Sequence, residues 1–146
     1  MTGLRILVTG SRRWANRLAI AYTLHSLVVA SGAGDDVVVI HGAQTGADRI
    51  ADGIATAWGW RTEPHLARWY DDCLSTCTHL PRFDRNGNVY CPAAGNYRNQ
   101  LMVDRGADFC AAFPLRDSVG TPDCVKRARR AGIRIVEPPV GKLLVG

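Results

Sequence analysis

Four short stretches of this chain carry residue types that can hold a phosphate and a sugar. Thr9-Gly10-Ser11-Arg12-Arg13-Trp14 follows an apolar run and offers a turn glycine, a hydroxyl and the free N–H groups of the helix that comes next. Such amides around a tight turn suit a phosphate; a plain turn with exposed arginines has the same composition. His41-Gly42-Ala43-Gln44-Thr45-Gly46-Ala47-Asp48 follows a second apolar run. There Gln44, Thr45 and Asp48 can hydrogen-bond a ribose or base, while the plainer role of Asp48 is to cap a helix. His41 reads as a ligand contact or as a satisfied buried histidine. Gly120-Thr121-Pro122-Asp123 opens a later helix, with Thr121 as the expected N-cap and Pro122 as the first helical residue. Asp123 complements the dipole of that helix or acts on a ligand. Arg98, in Gly95-Asn96-Tyr97-Arg98-Asn99-Gln100, lies near a helix N-terminus, where a cation is unfavourable. A facing anion explains its place, and a surface pairing with a loop carboxylate is the alternative.

A fifth group has different chemistry. Cys73 and Cys77 are separated by three residues, His79 follows Cys77 by one, and Cys91 comes after an eleven-residue spacer. Three thiols and an imidazole are compatible with a closed, tetrahedral and therefore structural zinc site. The competing reading is a mobile loop with free thiols.

The elements that must position these groups alternate strand and helix. Arg5–Thr9, Val37–His41, Trp60–His65, Asp108–Phe113 and Ile133–Val136 read as strands, with Pro64 at an edge or strand end and Pro138-Pro139 closing the last. Helices are expected over about 15–30, 46–58, 96–105 and 121–131, closed by Gly32 and Gly34, Gly59, Gly106 and Gly132. Strands apolar on both faces call for a parallel sheet covered by helices. The expectation is one α/β domain over residues 1–146, Rossmann-like and three-layered, with a mostly parallel five-stranded sheet in the order 3-2-1-4-5. Residues from about 67 to 95 follow no period, despite an Asn86-Gly87 turn signal, and form an irregular insertion.

Composition narrows the function. With 146 residues, 47% of them hydrophobic, the chain can bury a core. No apolar run reaches the roughly 18 residues of a membrane span, and Met1 to Val8 does not read as a secretory signal. The expected location is the cytoplasm, with no membrane partner. Five cysteines without a leader argue against a disulfide framework, and Cys110 and Cys124 read as core residues. The net charge of +5 is mostly arginine, suited to an anionic ligand, and leaves nucleic acid open as a partner. The Lys126-Arg127-Arg129-Arg130 cluster reads as a solvated helix face. Gly-x-Gly-x-x-Gly after the first strand, an acid ending the second, and a Walker lysine are all missing. NAD chemistry and P-loop phosphoryl transfer are therefore disfavoured, and no NAD, flavin or PLP is expected.

In combination the motifs resemble a known family. Ile6-Leu7-Val8-Thr9-Gly10-Ser11-Arg12 with Trp14, His41-Gly42-Ala43 with Gly46-Ala47-Asp48, Arg98-Asn99-Gln100-Leu101-Met102-Val103, and Gly120-Thr121 with Asp123-Cys124 are similar to the YspA/cpYpsA-related branch of the SLOG superfamily. The match runs in order over nearly the whole chain. The superfamily includes LOG-type phosphoribohydrolases, the DNA-processing protein Smf/DprA and sensors of nucleotide messengers. The resemblance implies a pocket for a nucleotide or nucleotide-derived ligand, and homodimerisation through helices beside it. A stretch like Tyr90 to Gly95 further implies an actinobacterium or its phage as the source.

The resemblance to the LOG enzymes puts Arg98 and Asp123 in the places of their catalytic Arg and Glu. Here the acid is one methylene shorter, and Asp117-Ser118-Val119 replaces part of the enzymes' glycine-rich run. Three functions follow in order. The first is binding without turnover, as a sensor or sequestering protein. Its ligand residues are Gly10, Ser11, Arg12, Trp14, His41, Gly42, Gln44, Thr45, Gly46, Asp48, Asn99, Gly120 and Thr121, with Trp14 or Tyr97 against the base. The second is hydrolysis of a nucleotide N-glycosidic bond, with Asp123 stabilising the charge on the ribose and Arg98 clamping the phosphate. The third is DNA binding.

Overall fold

The computed structural model describes residues 3–116 and 118–138. Asp117, Pro139 and the tail beyond, on which part of the sequence reading falls, lie outside the described residues.

The N-terminal half runs β1 (Leu4–Gly10), α1 (Arg17–Ser31), β2 (Val37–His41), α2 (Ala47–Ala57) and β3 (Arg61–Pro64). The C-terminal half runs from β4 (Arg82–Phe83) and β5 (Val89–Tyr90) through α3 (Ala94–Asp104), β6 (Phe109–Phe113) and α4 (Gly120–Arg130) to β7 (Arg134–Val136). The main sheet has the order β3-β2-β1-β6-β7, with every pair parallel. This is the expected 3-2-1-4-5 order, and the architecture is the expected Rossmann-like one. Ile6 stands opposite Val39 on one side and Phe109 on the other. Central strands without solvated faces cannot alternate, which is why β1 and β2 read as unbroken apolar runs.

Each face of the sheet has its own core. Leu4, Ile6 and Val8 point to one side and pack with Ile20 and Leu24 of α1, Ile54 of α2 and Phe113. Leu7 and Ile40 point to the other, against Met102 and Val103 of α3 and Cys124 and Ala128 of α4. Cys110 and Cys124 are fully buried.

Three local expectations need correction. The insertion carries an antiparallel hairpin, with Arg82 opposite Tyr90 around the Asn86-Gly87 turn; strands of two residues leave no periodic trace. Helix α3 starts at Ala94 rather than Asn96, because the turn after Cys91 already donates Ala94 N–H to Cys91 O at 3.1 Å. Helix α4 starts at Gly120 with Val119 in the cap position, and no side chain caps it. Thr121, expected as the N-cap, is inside the first turn and only 3% exposed.

Candidate functional site

The switch point between β1 and β6 carries a cleft of about 480 Å³, within the size range of small-molecule sites. Ten of the residues expected to bind ligand or act on it line this cleft: Gly10, Ser11, Arg12, Gly42, Gln44, Asp48, Arg98, Asn99, Gly120 and Thr121. Trp14, His41, Thr45, Gly46 and Asp123 stand behind it.

Close packing at the ends of β1 and β2 shapes the floor. A Cβ on Gly10 would meet Ala47 Cβ and the carbonyl of Phe113. Gly46 has φ 76° and ψ −126°, and a Cβ there would strike the backbone of Ser11 and Arg12. These two glycines let the loop after β1 lie directly on the start of α2, with Ala47 N–H donating to Ser11 O at 3.1 Å. Ser11 Oγ accepts from Arg13 N–H at 3.0 Å and keeps its own hydrogen to donate.

Asp48 is the polar centre. Its Oδ2 accepts from the N–H groups of Gly42 (3.0 Å) and Gln44 (3.3 Å), so it ties the loop after β2 rather than capping α2. The side chain is 6% exposed. Its Oδ1 is buried and has no hydrogen-bond partner among the described residues. Burial raises the carboxyl pKa, opposed by His41, the Gln44 N–H, the Arg98 charge and the Gly42 N–H.

Arg98 crosses the cleft from α3. Its Nη1 donates to Gly42 O at 2.6 Å and to His65 O at 3.4 Å, and its Nε donates to Asn99 Oδ1 at 3.0 Å. Gly42 makes room for it, since a Cβ there would lie 2.6 Å from Nη1. No carboxylate pairs directly with Arg98 among the described residues; carbonyls and the field of Asp48 hold the guanidinium.

The residues behind the cleft have identifiable structural work. His41 is 3% exposed; its Nδ1 accepts from Ala43 N–H at 3.0 Å while Nε2 meets Asp52 Oδ2 at 2.6 Å. That pairing supports Ala43 at φ 56°, a conformation rare outside glycine. Trp14 packs edge-on against Phe113 and donates to Asn16 O. Thr45 Oγ1 reaches Arg12 O at 3.4 Å. Asp123 Oδ2 accepts from Arg127 Nε at 2.9 Å and Asn99 Nδ2 at 3.0 Å.

The aromatic wall of the cleft comes from Trp69, in the insertion. Its ring rests on α3 over Gly95, where a Cβ would come 3.1 Å from Trp69 Cη2. Sequence reasoning passed over Trp69 and Pro92 because their stretch has no period, and it used Asn96 only as the start of a helix. The only signal was that so long an irregular segment needed a reason to be ordered. Tyr97, the other aromatic expected near a base, instead has its hydroxyl 2.9 Å from Cys77 Sγ.

The insertion also brings Cys73, Cys77, His79 and Cys91 together, with all four donor atoms within 4.8 Å of one another, an arrangement that can hold a metal ion. None of these cysteines is in a disulfide.

Fold and site thus define a doubly wound α/β protein with a polar cleft at its switch point. Residues 4–71 match the family described as YspA, cpYpsA-related SLOG family. The Gene 61 protein of Mycobacterium phage D29 is 39% identical over 132 residues, covering 90% of this chain and 94% of that protein. The chain belongs to the YspA/cpYpsA-related SLOG family, and it has a phage relative, as the Tyr90–Gly95 stretch implied. Among solved structures, DNA processing protein A (DprA) from Streptococcus pneumoniae superposes with a TM-score of 0.67 at 13% identity. The superposition covers 97% of this chain and 53% of that one, so the chain spans about half the length of DprA, and the likeness is one of fold. No helix among the described residues is long and apolar enough to cross a membrane.

Proposed function

We propose that this protein binds a nucleotide or nucleotide-derived small molecule in the switch-point cleft and holds it without cleaving it. The observation that carries the reading is Asp48, a residue of the cleft wall whose buried Oδ1 has no hydrogen-bond partner among the described residues. Leaving such an atom unpaired costs about 1–3 kcal/mol, and a ligand hydroxyl or amine recovers that cost. A carboxylate suits the ribose or base end of the ligand. The phosphate end suits the start of α4, which has no side-chain cap, and Ser11, which keeps a hydroxyl hydrogen. Arg12 adds charge, and Trp69 offers a flat face to a base.

The position of Asp123 favours binding over hydrolysis. Its carboxylate oxygen is shared by Arg127 and Asn99, and the residue does not line the cleft. The test is a thermal-shift screen against nucleoside monophosphates, cyclic dinucleotides and ADP-ribose derivatives, with each sample also assayed by HPLC for released base. Stabilisation by a ligand recovered intact is expected. Release of base that vanishes in Asp123→Asn would replace binding by N-glycosidic hydrolysis. No shift and no release, with retardation of DNA in a gel, would move the site to nucleic acid.

A further inference from the structure

We propose that Cys73, Cys77, His79 and Cys91 bind one structural zinc ion, and that this centre pins the Trp69 wall of the cleft. The second half deepens the binding reading and, in its bearing on ligand affinity, rests on it.

The distances fit a metal better than a chance meeting of thiols. Zinc with Zn–S about 2.3 Å and Zn–N about 2.0–2.1 Å in a tetrahedron has S···S edges of about 3.8 Å and S···N edges of about 3.6 Å. Here Cys77 and Cys91 sulfurs are 3.8 Å apart. His79 Nε2 is 3.5 Å from Cys73 Sγ and 3.6 Å from Cys91 Sγ. A disulfide needs a sulfur separation of about 2.0 Å. The hydrogen bonds around these four side chains also suit a metal site. His79 Nδ1–H donates to Leu80 O at 2.9 Å, which turns the Nε2 lone pair toward the three sulfurs. The Tyr97 hydroxyl lies 2.9 Å from Cys77 Sγ, placed to donate to a thiolate. Four protein donors leave no open position, so the ion is structural.

The centre is joined to the cleft through short covalent and hydrogen-bonded paths. Cys91 N–H donates to Trp69 O at 2.7 Å, and Cys91 O accepts from Ala94 N–H at the start of α3. Tyr97, in contact with Cys77, is the neighbour of Arg98 on that helix. The insertion has few buried apolar side chains of its own, with Leu74, Leu80, Phe83 and Val89 all exposed. Without a metal, little but its hairpin and scattered hydrogen bonds would hold Trp69 against Gly95.

The experiment combines metal analysis with hydrogen exchange on the full chain, and neither readout needs a nucleotide. About one zinc per chain is expected after purification, and cobalt exchange should give the intense spectrum of a tetrahedral thiolate site. Cys73→Ser should lower occupancy. Chelation should speed exchange at least tenfold in peptides spanning 66–72 and 88–93, while peptides from β1 and β6 stay protected. Absence of stoichiometric metal, or a Cys77–Cys91 disulfide by mass, overturns the zinc assignment. Metal that leaves exchange in 66–72 unchanged on removal overturns the link to the cleft. Either failure leaves the nucleotide screen standing, and an empty screen leaves the zinc result standing.

Discussion

Replacing Asp48 by Asn should leave the ligand-free protein nearly as stable as the parent at neutral pH while weakening its cleft, a pairing that separates a ligand-binding residue from a structural one. The amide oxygen can take over the bonds from Gly42 and Gln44 N–H. The buried charge disappears, but the amide nitrogen then takes the place of Oδ1, a buried donor with no hydrogen-bond acceptor among the described residues. The Arg98 guanidinium also loses the field of Asp48. These effects oppose one another, and the net expectation is a stability within about 1 kcal/mol of the parent at pH 7. The sign with pH follows from the raised carboxyl pKa. A carboxyl whose folded pKa is raised favours the fold below its unfolded value, and that contribution is lost as pH rises through the folded value. The stability of Asp48→Asn relative to the parent should therefore rise from pH 4 toward neutrality. Ligand affinity should fall by roughly tenfold to a hundredfold, the worth of a charge-assisted hydrogen bond. Urea titrations at several pH values and calorimetric binding to the screened nucleotide measure both. A variant whose relative stability does not rise with pH, or that binds like the parent, would refute the assignment of Oδ1 to a ligand.

Three further outcomes follow from the same geometry. Gly46→Ala should cost at least about 2 kcal/mol in chemical denaturation, since φ 76° with ψ −126° is closed to a side chain and the new methyl strikes Ser11 and Arg12; a loss below half that would show that the loop yields. Gly42→Ala displaces a flexible arginine end rather than backbone, so stability should change by about 1 kcal/mol or less while ligand affinity drops more than about tenfold. For Glu63, burial opposes ionisation, but hydrogen bonds from Arg105, His65 and Arg5 hold its pKa at about 2 against an ordinary 4.5. Its contribution is thus complete above pH 4.5 and lost on acidification toward pH 2. Glu63→Gln should flatten the acid limb of the stability curve by about 1 kcal/mol and leave the neutral-to-alkaline limb parallel to that of the parent.

How far the structure was legible beforehand depended on whether a residue's role is set locally. The sheet order was readable because buried parallel strands leave bare apolar runs such as Val37–His41, and the chain rules leave few topologies. The segments that reach the strand ends followed from that order, and Ser11, Asp48 and Arg98, expected to bind or act on a ligand there, line the cleft. Trp14 or Tyr97 was expected against a base, yet the Phe113 ring, remote in sequence, packs against Trp14. The state of His41 turned on Asp52, one helical turn beyond Asp48 and unremarkable by itself. Trp69 had no local signature at all; its place is fixed by Cys91 and by the empty space over Gly95.

The pairing of β1 with β6 has a consequence for how the chain is made. Ile6 lies beside Phe109, so the central strand of the sheet waits for about a hundred further residues before its second neighbour exists. As the nascent chain leaves the ribosome, β1, β2 and β3 can associate early with α1 and α2. The far edge of β1 then stays open, and Phe113 is missing from the first core. That intermediate exposes an apolar strand edge during synthesis, a setting in which such edges recruit other chains. The cleft forms later still, because Ser11, Arg98 and Gly120 come from both ends of the sequence. Whatever ligand it takes can stabilise only a finished molecule, and cannot assist the stretch of synthesis in which the protein is most exposed to aggregation.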